Sequence, residues 1–275
     1  GASDGSAGQG TSVSSGGTLQ LQGGISVTTE LATLSGSGYN PGSGVLGALN
    51  NISGNNTWGN AGNTRINLAA DARINSSAGT LTIAGNTSSS SNNALTFGGA
   101  GDITVTGGIN TGVGSSTTVT KDGAGTLTLS GSNSYQGATN VTSGVVSVQN
   151  NYGLGATSTG ANSTFVTSGA ELQLSNVANG NRSIGGEALS LNGAGIGGTS
   201  GALRNVVGDN SFGGVVTLAS ASTIMSTSGT LTLSGGTTGS NQALTIAGAG
   251  NTTIAGNMTN GTGSLTKVDA GIFTF

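Results

Sequence analysis

The sequence predicts an all-β chain wound as a parallel β-solenoid, and three observations carry the prediction. Glycine fills 55 of the 275 positions, and proline occurs once, as Pro41. Short alternating runs of about four to six residues, bounded by Gly, Asn and Ser, recur along the chain, which is the pattern of strands between tight turns. The chain also repeats itself at long range.

That repetition decides the architecture. Gly47-Ala48-Leu49-Asn50-Asn51-Ile52-Ser53-Gly54-Asn55-Asn56-Thr57-Trp58-Gly59 returns as Gly201-Ala202-Leu203-Arg204-Asn205-Val206-Val207-Gly208-Asp209-Asn210-Ser211-Phe212-Gly213. Gly79-Thr80-Leu81-Thr82-Ile83 returns as Gly229-Thr230-Leu231-Thr232-Leu233, and Ala94-Leu95-Thr96-Phe97 as Ala243-Leu244-Thr245-Ile246. Ser15-Gly16-Gly17-Thr18-Leu19-Gln20-Leu21 matches Ser168-Gly169-Ala170-Glu171-Leu172-Gln173-Leu174. The offsets are roughly 146 to 157 residues, so the chain holds about 1.8 copies of a unit of about 150 residues, itself made of shorter coils. We place the first long unit at residues 1–157 and a second, truncated unit at 158–275. Residues 265–275 line up with 119–129, so the second copy is expected to stop partway through. This alignment explains Phe275 better than the end of an outer-membrane barrel, because no strands of about ten residues with aromatic girdles precede it.

Strand-like runs fall at 18–22, 25–28, 64–68, 80–84, 103–106, 117–120, 215–218 and 251–255, and 86–93 reads as a variable loop. No stretch shows capped helical spacing over about ten residues. A β-sandwich also has short strands, but it would not duplicate itself or hold aromatics to 3%. In a parallel β-helix each coil stacks on the next about 4.8 Å away, and inward side chains form ladders. Leu127 and Leu129 are expected to face in, Thr126 and Thr128 out. Trp58 and Phe212, at equivalent positions, are expected in core or corner packing. Tyr135 is expected to cover a corner with its ring while its hydroxyl stays hydrated.

Composition removes whole classes of function. Charged residues make up 5% of the chain, against an ordinary share of about 25%. The hydrophobic share is 33%, so the core must be built from Val, Ile, Leu and Ala. A net charge of −3 with six basic residues leaves no patch to neutralise a run of phosphates, which argues against nucleic acid. No run approaches the roughly 20 apolar residues of a membrane helix, and no membrane insertion is expected within this chain. The absence of cysteine suits export through a periplasm. The start, Gly1-Ala2-Ser3, carries no basic-then-apolar leader, so any signal peptide is expected to lie outside these residues or to have been removed.

Residues 121–148 are the most informative part. They join two alternating runs, Thr126-Leu127-Thr128-Leu129 and Val145-Val146-Ser147-Val148, through Gly123-Ala124-Gly125, Ser130-Gly131, Asn133-Ser134-Tyr135, Gly137, Thr139, Val141 and Gly144. This order and spacing of glycines, tyrosine and β-runs resembles the autotransporter-associated β-strand repeat of bacterial surface passenger domains. The resemblance implies a right-handed coil, a secreted or outer-surface location, and no catalytic residues to transfer. Looser likeness extends over residues 168–174 and 187–207.

Chemistry is sparse. Without His or Cys, no Ser-His-Asp triad, Cys nucleophile or usual zinc site can be assembled, and no catalytic, metal or cofactor residues are assigned. Paired carboxylates remain open, with Asp71, Asp102, Asp122, Glu171, Glu187, Asp209 and Asp269 as candidates. Asp122 and Asp269 sit near Lys121 and Lys267 at matching turns, and Asp209 replaces Asn55, which favours turn roles. Gly193-Ala194-Gly195-Ile196-Gly197-Gly198 satisfies G-x-G-x-x-G, but no helix is expected after it. Gly98-Gly99-Ala100-Gly101-Asp102 is similar to a calcium-binding nonapeptide, yet its counterpart Gly248-Ala249-Gly250-Asn251 lacks the acid.

The expected function is a structural repeat segment of a secreted bacterial surface or matrix protein, a rod able to assemble end to end into a fibre. The alternative is an adhesin binding a surface glycan or protein, for which Tyr39, Tyr135, Tyr152 and Trp58 are the available stacking aromatics. A minor alternative is ice binding by Thr80/Thr82, Thr104/Thr106, Thr126/Thr128 and Thr230/Thr232, against which their irregular spacing counts.

Overall fold

The computed structural model describes residues 10–111, 116–156, 163–175 and 180–275. Every strand pairing resolved among them is parallel, and the strands stack coil upon coil as a β-solenoid. Two compact units divide at Gly137/Ala138. The sequence-based unit boundary at 157/158 and the start at Gly1-Ala2-Ser3 lie outside the described residues.

Coil length varies widely while register holds. Corresponding groups of adjoining coils lie 21 residues apart at Gly248 and Asp269, and 31 apart at Ile25 and Asn56. The difference is absorbed in the arcs between strands, since adding arc residues costs little entropy compared with losing a ladder. The strand at Thr64–Ser76 and that at Val216–Ser226 are longer than the runs read from sequence because each continues around a corner. The 86–93 segment corrects one expectation. Asn86–Ser89 is a strand, pairing with Thr64–Ser76 on one side and Ile109–Thr111 on the other.

In the first unit, Leu49, Ile74, Phe97 and Lys121 form one inward column, each at the same position of the next coil. A second runs Trp58, Ile83, Val105 and Leu129. Leu127 and Leu129 are fully buried while Thr126 and Thr128 are half-buried, as the period of two requires. Each such aliphatic side chain contributes roughly 1.5–3 kcal/mol when fully buried.

The second unit repeats the plan. Leu172, Leu203, Ile224, Ile246 and Lys267 stack in one inward column, and Ile184, Phe212, Leu233 and Ile254 in another. Trp58 and Phe212 thus fill matching core positions, 2% and 0% exposed. The Trp58 indole N–H is satisfied by the Arg65 carbonyl at 2.9 Å. Tyr135 departs from expectation: the whole residue, hydroxyl included, is buried.

Glycine is required where coils turn closest together. Gly123 has φ 75°, and a Cβ there would sit 2.5 Å from the Gly99 carbonyl oxygen of the coil beneath. The residue aligned with it in the other unit is Asp269, which holds the same left-handed conformation at φ 62°. Asp tolerates that region better than most residues.

Candidate functional site

The sequence offered seven carboxylates, and each is tied into a coil-to-coil bond or an ion pair. Asp71 accepts the Ala94 N–H at 2.7 Å, Asp102 that of Thr126 at 2.8 Å, Asp209 that of Thr230 at 2.9 Å, and Asp269 that of Gly248 at 2.8 Å. Asn55 performs the same task for Thr80 at 3.1 Å, and Asn251 for Ile272 at 2.9 Å. A position filled equally by amide and acid needs only an oxygen, not a proton donor. Among the described residues, no three Asp or Glu side chains gather into a possible cation site.

Asp122 and Asp269 do not share a role. Asp122 pairs with Arg73, at 2.6 and 2.7 Å to the two guanidinium Nη atoms, whereas Asp269 occupies the left-handed corner. The aligned lysines are the true equivalents. Lys121 sits in the inward column against Phe97, and its Nζ donates to the carbonyls of Asp122 at 2.7 Å and Gly123 at 2.8 Å. Lys267 sits against Ile246, and its Nζ donates to the carbonyls of Val268 and Asp269. Burial lowers the Lys121 ammonium to about 8, partly opposed by the Asp122 charge.

Two glutamates form a duplicated buried pair with threonine. Thr164 Oγ1 donates to Glu187 Oε1 at 2.8 Å, and Thr11 Oγ1 to Glu30 Oε1 at 2.7 Å. Glu187 is 2% exposed, and burial raises its carboxyl to about 7 despite the hydrogen bond from Thr164. Glu30 escaped the sequence reading, although Ser26-Val27, Glu30, Leu34 and Gly36 align with Ser183-Ile184, Glu187, Leu191 and Gly193. Glu171 is buried as well, accepting from Gln173 Nε2 at 2.7 Å, with Arg204 Nη1 3.7 Å away.

The G-x-G-x-x-G segment leads into no helix beyond a single 3₁₀ turn at Ile196–Gly198, and Gly201 N–H closes the loop onto the Ala194 carbonyl at 2.9 Å. The stacking aromatics are fewer than the sequence suggested. Trp58 and Tyr135 are buried, whereas Tyr39 and Tyr152 are exposed. Outward hydroxyls are more regular than their spacing implied. Thr57, Thr82, Thr104 and Thr128 stack in register in the first unit, as do Ser183, Ser211, Thr232, Thr253 and Thr274 in the second.

Among the described residues, one polar constellation is confined to the first unit. The Arg73–Asp122 pair lies across Gly98, where a Cβ would come 1.9 Å from Arg73 Nη2 and 2.2 Å from Asp122 Oδ1. Arg73 Nη2 also reaches Asn75 Oδ1 at 3.4 Å. Asn75 Nδ2 donates to Asn50 Oδ1 at 3.0 Å, and Ser77 Oγ donates to the same oxygen at 3.1 Å. This network edges a cleft of about 540 Å³ whose other side is formed by residues 43–46.

Residues 119–148 match the passenger-associated-transport-repeat. The match spans Thr126–Leu129 of the first unit and Gly144–Val148 of the second, the two runs singled out from sequence. Together with the parallel stacked coils, it fits an autotransporter passenger-type repeat protein. No curated protein and no solved structure matches the chain.

Proposed function

We propose that this chain is a structural, non-catalytic segment of a passenger-type protein, secreted or displayed outside a bacterial cell, and that copies join end to end. The observation that carries this reading is that three kinds of polar fastening recur from unit to unit as scaffold. The Glu30 and Glu187 pairs, the Lys121 and Lys267 corners and the Asn55 and Asp209 caps recur at matching positions. A reaction centre has no reason to be duplicated as coil fastening. The same parallel backbone ladder joins coil to coil within both units, so an added copy can continue that ladder without a new kind of contact.

Electron microscopy of the purified chain across a concentration series tests the proposal. Filaments that lengthen with concentration, and disappear when Pro replaces Ser12 in the strand Thr11–Val13, are the expected result. Particles that stay single at every concentration would overturn the assembly.

A further inference from the structure

We infer that the cleft between residues 43–46 and the Arg73–Asp122 pair binds a neutral oligosaccharide. Scaffold elements are copied between the units; this constellation is not. In the second unit Arg204 replaces Asn50, Met225 stands where Asn75 would be, and Ala247 occupies the place of Gly98. Val268 aligns with Asp122, so the ion pair has no counterpart. A network that stabilised every coil would have been retained; one that serves a ligand need occur only once.

The chemistry indicates the class of ligand. The cleft is lined by Val45 and Leu46 on one side and by Ser77, Asn75, Arg73 and Asp122 on the other. The Asp122 side chain is 36% exposed, and a carboxylate has lone pairs beyond the two used by Arg73. Asn75 is 6% exposed and held by Asn50, so its amide is set in place before any ligand arrives. Vicinal hydroxyls, each both donor and acceptor, suit this alternation, and Val45 and Leu46 offer an apolar wall to the C–H face of a sugar ring. The row from Asn75 to Asp122 spans two coil spacings, about 10 Å, the scale of two or three rings. The guanidinium and carboxylate already neutralise each other, so an anionic ligand would have to compete with Asp122 for Arg73. A peptide would seek an open strand edge, whereas here the backbone of residues 95–97 is paired on both sides.

The test is independent of filament formation and is run at a concentration where the chain stays single. Amide spectra of the labelled chain are recorded against neutral di- and trisaccharides (cellotriose, maltotriose, laminaritriose, chitotriose), each to about 10 mM. The expected result is saturable shifts clustered at residues 43–46, 73–77, 98–100 and 122–123 for at least one sugar. Asp122→Asn should weaken binding by about tenfold or more. Ser77→Ala, at an exposed position that leaves the ion pair intact, should weaken it about threefold, which covers the case in which Asp122→Asn does not fold. Arg204→Gln, in the other unit, should change nothing. No saturable shift with any sugar would overturn the proposal. So would affinity unchanged in both cleft variants, or a preference for a sialylated sugar or a peptide at the same residues.

Discussion

Asn210 donates its side-chain amide to Asn205 Oδ1 at 2.5 Å, and Asn56 makes the same bond to Asn51 in the other unit. In each pair the second asparagine works on both sides: Asn210 Nδ2 also donates to the Val207 carbonyl, and its Oδ1 accepts the Arg182 N–H. Asn205 Nδ2 binds the carbonyls of Gly208 and Ser228 and the Ser226 hydroxyl. These are interior fasteners made of amides, satisfied on all sides at 1% exposure or less.

Asn210→Ala therefore strands several buried groups at once. Unpaired buried groups cost about 1–3 kcal/mol each, and the expected loss of stability is about 3 kcal/mol. Urea denaturation measures it. Asn56→Ala should cost a comparable amount in the other unit, because Asn56 likewise serves Asn51, Ser53 and Ile25. A loss below about 1 kcal/mol at both sites would show that the pairs do not fasten the corners.

Glu187 should make stability fall as pH rises. Burial lifts its carboxyl from 4.5 to about 7, so between those values the folded chain holds a proton that the unfolded chain has released. Its contribution is fully present below about pH 4.5 and is lost as pH rises to about 7, a change of about 3 kcal/mol. Glu187→Gln keeps an oxygen for Thr164 and cannot ionise. It should raise stability at pH 8 and flatten the slope below pH 7, read from urea midpoints across pH.

Lys121 should act in the opposite sense at higher pH. Burial lowers its ammonium from 10.5 to about 8, so between these values the unfolded chain binds the extra proton and stability rises with pH. Lys121→Met should abolish that rise while leaving the Phe97 column filled. Midpoints measured at about pH 8 and 10.5 decide it: a slope that survives the substitution belongs to another group.

Gly98→Ala should disrupt the ion pair before it disrupts the fold. The added Cβ meets the mobile ends of Arg73 and Asp122, not backbone. A stability loss of about 1 kcal/mol is expected, within the range for a small overpacking. Asp122→Asn should then cost much less in the Gly98→Ala background than alone, a coupling that a double-mutant cycle reads directly.

The inward ladders were legible because a strand alternates with period two, and the duplication located Trp58 and Phe212 in the same core position. The same alternation ran through Val119 and Lys121, yet a lysine in an aliphatic column is not an obvious reading until two carbonyls are found at its tip. The Arg73–Asp122 pair was not legible. Its partners are 49 residues apart, across coils of unequal length, and no pattern in the sequence fixes that register. The regular hydroxyl columns were hidden for the same reason: arcs of different size conceal strands that stack in step. Tyr135 was misread because a lone aromatic ring among glycines and polar residues looks like a surface cover in a linear pattern, whereas it is fully buried.

The corner caps have a consequence for how such a chain can diverge. Asn55 and Asp209 hold the next coil through the same atom, Oδ1, so exchanging one for the other alters the surface field without touching the bond. Formal charge is thereby uncoupled from folding at these corners. A lineage of such coils can drift between acidic and neutral surfaces, tuning solubility and its repulsion from neighbouring surfaces, while the ladder beneath stays as it was.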